Sequence, residues 1–264
     1  MRRLTIFAKG NLDVRDSLHS LRIGGNVVWN GINEVVGARF AQTRARVRHE
    51  VWSRSDALLE SDGAIPADLA GRLLPLGPVS LEAQWSRALF EVDADAIVLS
   101  IQPDVMTHLV RHRRDRYLLC PSNNEAWAEA DRRWLRADFG AVESPDAATS
   151  MGNYERIVGR IRERTPAPIL VYNVSSVVPG DSIHCHEGLG DVLSTRIRRF
   201  NLALVELSQR TGISIIDVDA IVARAGADRV KLDALHLTAE GCRLVAEEVV
   251  RVLDDVGCFP PVDA

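Results

Sequence analysis

Close to its carboxyl end the chain reads KLDALHLTAEG over residues 231–241. Asp233 stands three residues before His236, just ahead of a segment with helical periodicity. A carboxylate at this spacing can accept the proton of one imidazole nitrogen and leave the other nitrogen free as a general base. The stretch therefore predicts a catalytic dyad, with an ordinary helix-capping loop as the alternative.

The segment that follows, residues 238–253, has the apolar pattern of a helix that packs through one face. The pattern rests on Leu244, Val245, Val249, Val250 and Leu253. The dyad is thus expected at the amino-terminal end of the last helix, where an active site can open.

Upstream, short apolar runs rich in β-branched residues alternate with longer helical patterns. This alternation is typical of a parallel sheet wrapped by crossover helices. Strands are predicted over residues 4–8, 45–52, 96–101, 168–174 and 213–218. Helices are predicted over residues 80–90, 125–137, 153–164, 193–211 and 238–253. The sequence therefore predicts one α/β domain over residues 1–264, a three-layer α/β/α sandwich with a five-stranded parallel sheet in flavodoxin-like order.

Composition narrows the class of protein. The 264 residues include 32 basic and 36 acidic side chains, and a net charge of −4 gives no footprint for nucleic acid. No apolar run reaches the length of a membrane span. The apolar run among the first residues is too short for a signal-peptide core. The cysteines lack the spacing of a zinc knuckle or a disulfide framework, which predicts reduced thiols and a cytoplasmic protein. They are Cys120, Cys185, Cys242 and Cys258.

The dyad stretch, with its small residue, glycine and following helix, resembles the last signature block of the SGNH or GDSL-type hydrolases. This family contains esterases, lipases, deacetylases and acyltransferases. The resemblance implies that His236 is the general base and that Asp233 orients it. It also implies that ligands bind at the carboxyl ends of the sheet strands, as in other doubly wound folds.

The first block of the family is Gly-Asp-Ser, in which the serine is the nucleophile. After the first predicted strand this chain reads KGNLDVRDSLH over residues 9–19, so Gly10 matches, Asn11 replaces the aspartate and Leu12 replaces the serine. A leucine side chain cannot attack a carbonyl carbon. The resemblance therefore leaves the nucleophile open.

Several alternatives remain for this missing nucleophile. Ser17 lies on the same segment, and Ser175, Ser176 and Cys185 lie on another loop. Asp13 is a candidate carboxylate nucleophile or second base. In the last alternative no side chain attacks, and the dyad activates water or a substrate hydroxyl directly.

The resemblance also implies groups that stabilise the oxyanion. The glycine-rich stretch at residues 24–33 resembles the second block, with Gly25 or Gly31 as the amide donor. Gln102 stands where the third block has asparagine and keeps an amide donor on a longer stem. Alternatively, Gln102 simply ends a strand before Pro103. The turn at Gly10 and Asn11 offers a further backbone amide.

A second polar stretch, His184-Cys185-His186, suggests a metal half-site or an activated thiol. On an extended segment the two imidazoles would face away from the thiol, and no further spaced ligands are present, so a loop beside the pocket is expected instead of a metal site. No cofactor is implied, since the chain has no GxGxxG after the first strand and no phosphate loop.

Together these features predict an intracellular hydrolase or acyltransferase that acts on an acyl ester, amide or thioester of a small molecule. A non-hydrolytic dyad enzyme of a biosynthetic pathway, catalysing cyclisation, elimination or transfer, is one alternative. A pseudo-hydrolase that binds an acylated ligand is another. The sequence does not specify the substrate or the oligomeric state.

Overall fold

The computed structural model describes residues 1–51, 54–177 and 193–260. Its strands are β1 Arg2–Gly10, β2 Leu21–Ile23, β3 Asn26–Trp29, β4 Thr43–Val51, β5 Ala96–Ser100, β6 Leu109–His112, β7 Leu118–Leu119, β8 Phe139–Val142, β9 Ile169–Tyr172 and β10 Ser214–Ile216. Its helices are α1 Leu12–Leu18, α2 Ile32–Arg39, α3 Ser55–Glu60, α4 Ala67–Ala70, α5 Leu81–Trp85, α6 Gln102–Met106, α7 Glu129–Asp138, α8 Ala147–Arg162, α9 Leu193–Thr211, α10 Val218–Ala225, α11 Ala227–Val230 and α12 Ala239–Asp255.

Five parallel strands form the central sheet, in the spatial order β10-β9-β5-β1-β4. Each overlaps one of the five predicted strand segments, so the predicted fold class and flavodoxin-like order are confirmed. Two of the three interior strands, β1 and β5, are rich in apolar residues because helices cover both of their faces. All five residues of β5 are buried.

Alternate residues of the central strands face opposite helical layers, as the two-residue period of a strand requires. Ile6 of β1 and Val98 of β5 pack in one core with α1, α2 and α12. Phe7 and Ile97 pack in a second core with α8 and α9. These two cores make the three-layer sandwich.

The helix predictions over residues 80–90 and 125–137 are only partly correct. The first segment divides into α5 and a 3₁₀ turn at Ala88–Phe90, because Ser86 is extended between them. The second begins with a 3₁₀ turn at Asn124–Ala126 before α7. The structure also adds a three-stranded antiparallel sheet, β7-β6-β8, and a hairpin, β2-β3.

The fold places three chain segments where a site can form. α1 begins two residues after β1 ends, and α6 begins two residues after β5 ends. The dyad occupies the loop between α11 and α12. Within the described ranges, no helix is both long and apolar enough to cross a bilayer.

Candidate active site

Asp233 and His236 form a close hydrogen-bonded pair. Nδ1 of His236 lies 2.7 Å from Oδ2 of Asp233. Because an ionised carboxylate can only accept, Nδ1 carries the hydrogen, and Nε2 of the neutral ring keeps its lone pair. Nε2 has no hydrogen-bond partner among the described residues, so it is available as a base.

The backbone around the dyad holds the carboxylate in place. The amides of Leu235 and His236 donate to Oδ1 of Asp233 at 2.7 Å and 2.8 Å. Partial burial raises the pKa of Asp233, but these amide bonds and the imidazole outweigh it and hold the pKa below its usual value. The carboxylate of Asp233 therefore stays ionised at neutral pH.

The glycine of the motif has a packing role in this loop. The amide of Thr238 donates to the carbonyl of Val230 at 2.9 Å, and the Thr238 hydroxyl accepts from the amide of Gly241 at 3.2 Å. A Cβ at Gly241 would overlap the carbonyl oxygen of Val230. Glycine thus lets the start of α12 approach α11 closely, which fixes the loop that carries the dyad.

His236 lines a small cavity whose opposite wall is the start of α1. The other lining residues are Leu12, Asp13, Asp16, Leu237 and Cys242. The imidazole therefore lies at the carboxyl edge of the sheet, beside the turn that follows β1. Leu12, at the serine position of the first family block, borders the same cavity as the base.

Asp13 also lines a second, adjoining cavity. Its neighbours there include Gln102, Asn173, Ser175 and Lys231. Oδ2 of Asp13 accepts a hydrogen bond from the Ser100 hydroxyl, whereas the buried Oδ1 has no partner among the described residues. Burial raises the pKa of Asp13 to about 6, with the Ser100 bond opposing the rise.

A family model described as GDSL-like Lipase/Acylhydrolase family matches residues 60–244, well over half of the chain. The chain belongs to this family. It is an SGNH-type hydrolase, and the match spans the third-block region around Gln102 and the whole dyad loop.

Solved structures agree with this fold. A lipase/acylhydrolase from Enterococcus faecalis is 15% identical, with a TM-score of 0.52 over 100% of both chains. A mutant acetyl-xylooligosaccharide esterase from Geobacillus Stearmophilus is 12% identical, with a TM-score of 0.53 over 99% of this chain and 97% of that chain. An alpha/beta hydrolase enzyme from the metagenome of Lake Arreo, Spain, is 14% identical, with a TM-score of 0.52 over 97% of this chain and 96% of that chain. No curated protein sequence matches the chain.

The expected donors of this hydrolase fall into two groups. Gln102 is 3% exposed, begins α6 and borders the cavity of Asp13. Its backbone amide donates to the Ser100 hydroxyl at 3.0 Å. Gly10 ends β1, and Asn11 is the residue before α1, so the two residues directly precede Leu12 in the chain.

Gly25 and Gly31 lie elsewhere. Gly25 is exposed at the tip of the β2-β3 hairpin, and Gly31 precedes α2 with a φ of 77°. Neither lines the cavity of His236 or that of Asp13. Ligands are expected in the loops that follow the parallel strands. The glycine-rich stretch at residues 24–33 comes before the second parallel strand, β4, so it is not one of those loops.

Ser17 is separated from the base by its burial. Its side chain has 0% exposure, and its hydroxyl bonds the carbonyl of Asp13 at 2.9 Å and the Tyr172 hydroxyl at 3.0 Å. It lines neither cavity. The three-residue and four-residue spacing of Val14, Ser17 and Leu18 is the signal that places Ser17 on the buried face of α1.

The serines after β9 are also engaged. Ser175 borders the cavity of Asp13, and its hydroxyl accepts from the amide of Val177 at 3.3 Å. Ser176 donates its amide to Asp219 at 2.7 Å. His184, Cys185 and His186 lie outside the described residues.

Sequence reasoning missed two side chains at the site, Cys242 and Lys231. Cys242 borders the cavity of His236, but burial, aided by Asp16, raises the pKa of its thiol to about 12. A thiol in that state is a poor nucleophile at neutral pH. Its position one turn into α12, opposite α1, was the only signal available.

One group of side chains has the composition of a metal site. Asp68, His112 and Asp115 bring their ligand atoms within 4.8 Å of one another. Each has a protein partner: Nδ1 of His112 accepts from the amide of Asp115 at 3.0 Å, and Tyr117 donates to Asp68 at 2.7 Å. These bonds tie α4 to the antiparallel sheet and account for the group without an ion.

Two wider grooves lie away from the dyad. One borders α3 and the antiparallel sheet, and the other lies between α2, α10 and α12. Neither contains His236 or Asp13. The chemistry of the dyad, and not groove size, therefore locates the candidate active site.

Proposed function

We propose that this hydrolase cleaves an acyl ester, amide or thioester of a small molecule by general-base catalysis, without a serine nucleophile. The observation that carries the proposal is the shared cavity of His236 and Leu12. Asp233 orients the imidazole of His236, whereas Leu12, which borders the same cavity, cannot form an acyl-enzyme. Water is then the nucleophile.

In this mechanism Nε2 of His236 removes a proton from a water molecule as its oxygen attacks the acyl carbon. The resulting imidazolium is stabilised by Asp233 and returns the proton to the leaving oxygen, nitrogen or sulfur. A substrate hydroxyl in place of water would give acyl transfer by the same steps.

The developing oxyanion needs donors in the same cleft. We assign this role to the amide side chain of Gln102 and to a backbone amide of the turn at Gly10 and Asn11. Gln102 is nearly buried, so a hydrogen bond from its side chain would act in a site of low dielectric, where it stabilises charge more than in water.

Asp13 is assigned as a second base beside the dyad. It borders both cavities, and its unpartnered Oδ1 suits a bond from an attacking hydroxyl. A pKa of about 6 keeps the carboxyl largely ionised at neutral pH.

An intracellular setting is also proposed, supported by the free and buried state of the three described cysteines, Cys120, Cys242 and Cys258.

The test compares His236→Ala with His19→Ala on a panel of p-nitrophenyl esters and thioesters. Loss of a positioned base costs roughly a hundredfold or more in rate, so His236→Ala should lose at least that much. His19 lies beyond the end of α1, outside the cavity of His236, and its variant should keep wild-type turnover. Wild-type turnover in a folded His236→Ala protein would refute the proposal.

A further inference from the structure

The chain uses lysine at two positions only. Of its 32 basic residues, Lys9 and Lys231 are lysines and the others are arginines. The two lysine side chains are 1% and 5% exposed. Burying an ammonium group is costly unless partners compensate for the lost water, so each lysine needs a physical account.

The burial of Lys9 is fully explained by its partners. Its Nζ lies 3.1 Å from a carboxylate oxygen of Glu50 and donates to the carbonyl of Ala83 at 3.3 Å. Glu50 is itself largely buried. The two opposite charges therefore compensate each other at the end of β1.

Lys231 lacks such a partner. Its Nζ donates to the carbonyls of Val177 and Ala234 at 2.6 Å and 3.1 Å, and no described carboxylate lies within ion-pair distance. An ammonium group has three donors, so one remains without a partner among the described residues after these two bonds. The nearest acids are occupied, since Asp219 accepts from Ser176 and Asp233 accepts from the dyad loop.

The free donor belongs to a residue that lines the cavity of Asp13 and Gln102. That cavity adjoins the cavity of His236, because Asp13 and Leu237 line both. Lys231 is thus separated from the cavity of His236 by these two shared wall residues, and a small molecule that reacts beside His236 and passes them would meet the ammonium group. This step rests on the proposed function for the position of the reacting group.

We propose that Lys231 binds an anionic group of the substrate, a carboxylate or a phosphate. The hydrolase then prefers acyl compounds that carry a negative charge a short distance from the scissile bond. Asp13 faces the same cavity, so the anionic group lies at the Lys231 end and Asp13 remains with the reacting end.

The charges around Lys231 set the pH range of this binding. Burial lowers the pKa of Lys231 to about 8, against the opposing effect of Asp219 and Asp233. The ammonium form is present below that pH and is lost above it. Affinity for an anion is therefore expected to fall as pH rises through about 8.

The first experiment measures binding without turnover. Isothermal titration calorimetry with succinate, and separately with inorganic phosphate, compares the wild type with Lys231→Met and with the double variant Lys9→Met/Glu50→Gln. We expect Lys231→Met to weaken the preferred anion at least tenfold and the double variant to bind like the wild type. The anion with the tighter binding identifies the carboxylate or the phosphate as the natural group.

The same titration on the wild type at pH 6.5 and pH 9.5 keeps the inference testable if Lys231→Met does not fold. Weaker binding at the higher pH supports it. Equal affinity at both pH values, equal affinity in a folded Lys231→Met protein, or no binding of either anion overturns it.

A kinetic arm separates this inference from the proposed function. Mono-p-nitrophenyl succinate and p-nitrophenyl acetate differ in one carboxylate, and the ratio of their kcat/KM values should fall at least tenfold in Lys231→Met. His236→Ala should lose turnover of both esters yet still bind succinate. Retained binding with no wild-type turnover would reject the hydrolase mechanism alone, whereas turnover with an unchanged ratio would reject the role of Lys231 alone.

Discussion

The loop of Asp233 and His236 and the turn from Gly10 to Asp13 border one cavity, yet they differ in chemical equipment. On the loop, two backbone amides and an imidazole hold a single carboxylate in place. On the turn, Leu12 borders the cavity of His236, and the neighbouring Asp13 has a carboxylate oxygen without a partner among the described residues.

This difference separates two functions that a serine hydrolase joins. In the proposed mechanism, orienting a base depends on the loop alone, where the Asp233 carboxylate and Nδ1 of His236 are hydrogen-bonded and Nε2 is left without a partner among the described residues. Supplying a nucleophile depends on the turn, where a hydroxyl is missing. The site thus has the equipment to take a proton but not to form a serine ester, which is why the proposed mechanism uses water.

Apart from His236→Ala, the largest loss of turnover is expected on the loop side. Asp233→Asn removes the carboxylate that fixes the imidazole tautomer, so kcat should fall, but by less than the roughly hundredfold or more expected for His236→Ala, because solvent reaches both side chains. Steady-state kinetics on the best ester of the panel measures this. An unchanged kcat would show that the loop does not orient the base.

A second test sharpens the contrast from the turn side. The folded pKa of Asp13 lies above its unfolded value near 4, so the folded state binds more protons between about pH 4 and pH 6. The free energy of unfolding should therefore fall as pH rises through that window. A shift of about two units corresponds to at most about 3 kcal/mol.

Asp13→Asn should remove this contribution. Urea denaturation at pH 4 and pH 7 would then show a smaller loss of stability in the variant than in the wild type. Asp104 also has a pKa raised to about 6 by burial, against bonds from Ser150 and Ser55, and its effect persists in both proteins. Equal losses in the two proteins would mean that Asp13 carries no unfavourable buried charge.

The smallest effect is expected for Ser17→Ala. The hydroxyl is buried and bonded within α1 and to Tyr172, so its loss should lower the free energy of unfolding by about 1 kcal/mol and leave turnover at the wild-type value. Paired denaturation and rate measurements check both. A loss of turnover in a folded Ser17→Ala protein would make Ser17 a candidate nucleophile again.

Much of this architecture could be predicted from the sequence. Four strands of the sheet contain short apolar runs and β4 alternates apolar with charged residues, so each can be recognised from its own residues. The spacing of Asp233 and His236 is likewise a local signal. The hairpin at Leu21–Ile23 and Asn26–Trp29 could not be recognised in the same way, because its residues are mostly exposed and the glycine-rich turn resembled a family block.

The rest of the site depends on contacts between distant segments. Nothing near Lys231 in sequence reveals that Val177 accepts its hydrogen bond, or that the ammonium has no carboxylate partner in the described part of the chain. Ser17 shows the opposite case, because the helical spacing of its apolar neighbours is a local signal of burial that the interpretation of Ser17 as a nucleophile candidate did not use. Periodicity thus locates the core, whereas the cavity walls emerge only from the assembled fold.

The most direct test of the central claim restores the missing group. Leu12→Ser places a hydroxyl on the side chain that borders the cavity of His236. A fluorophosphonate probe read by intact mass and peptide mapping should leave the wild type unlabelled and label Leu12→Ser at position 12. Labelling should disappear in Leu12→Ser/His236→Ala. Labelling of the wild type at any serine, or a folded Leu12→Ser protein that stays unlabelled, would contradict a site that keeps the base and lacks only the nucleophile.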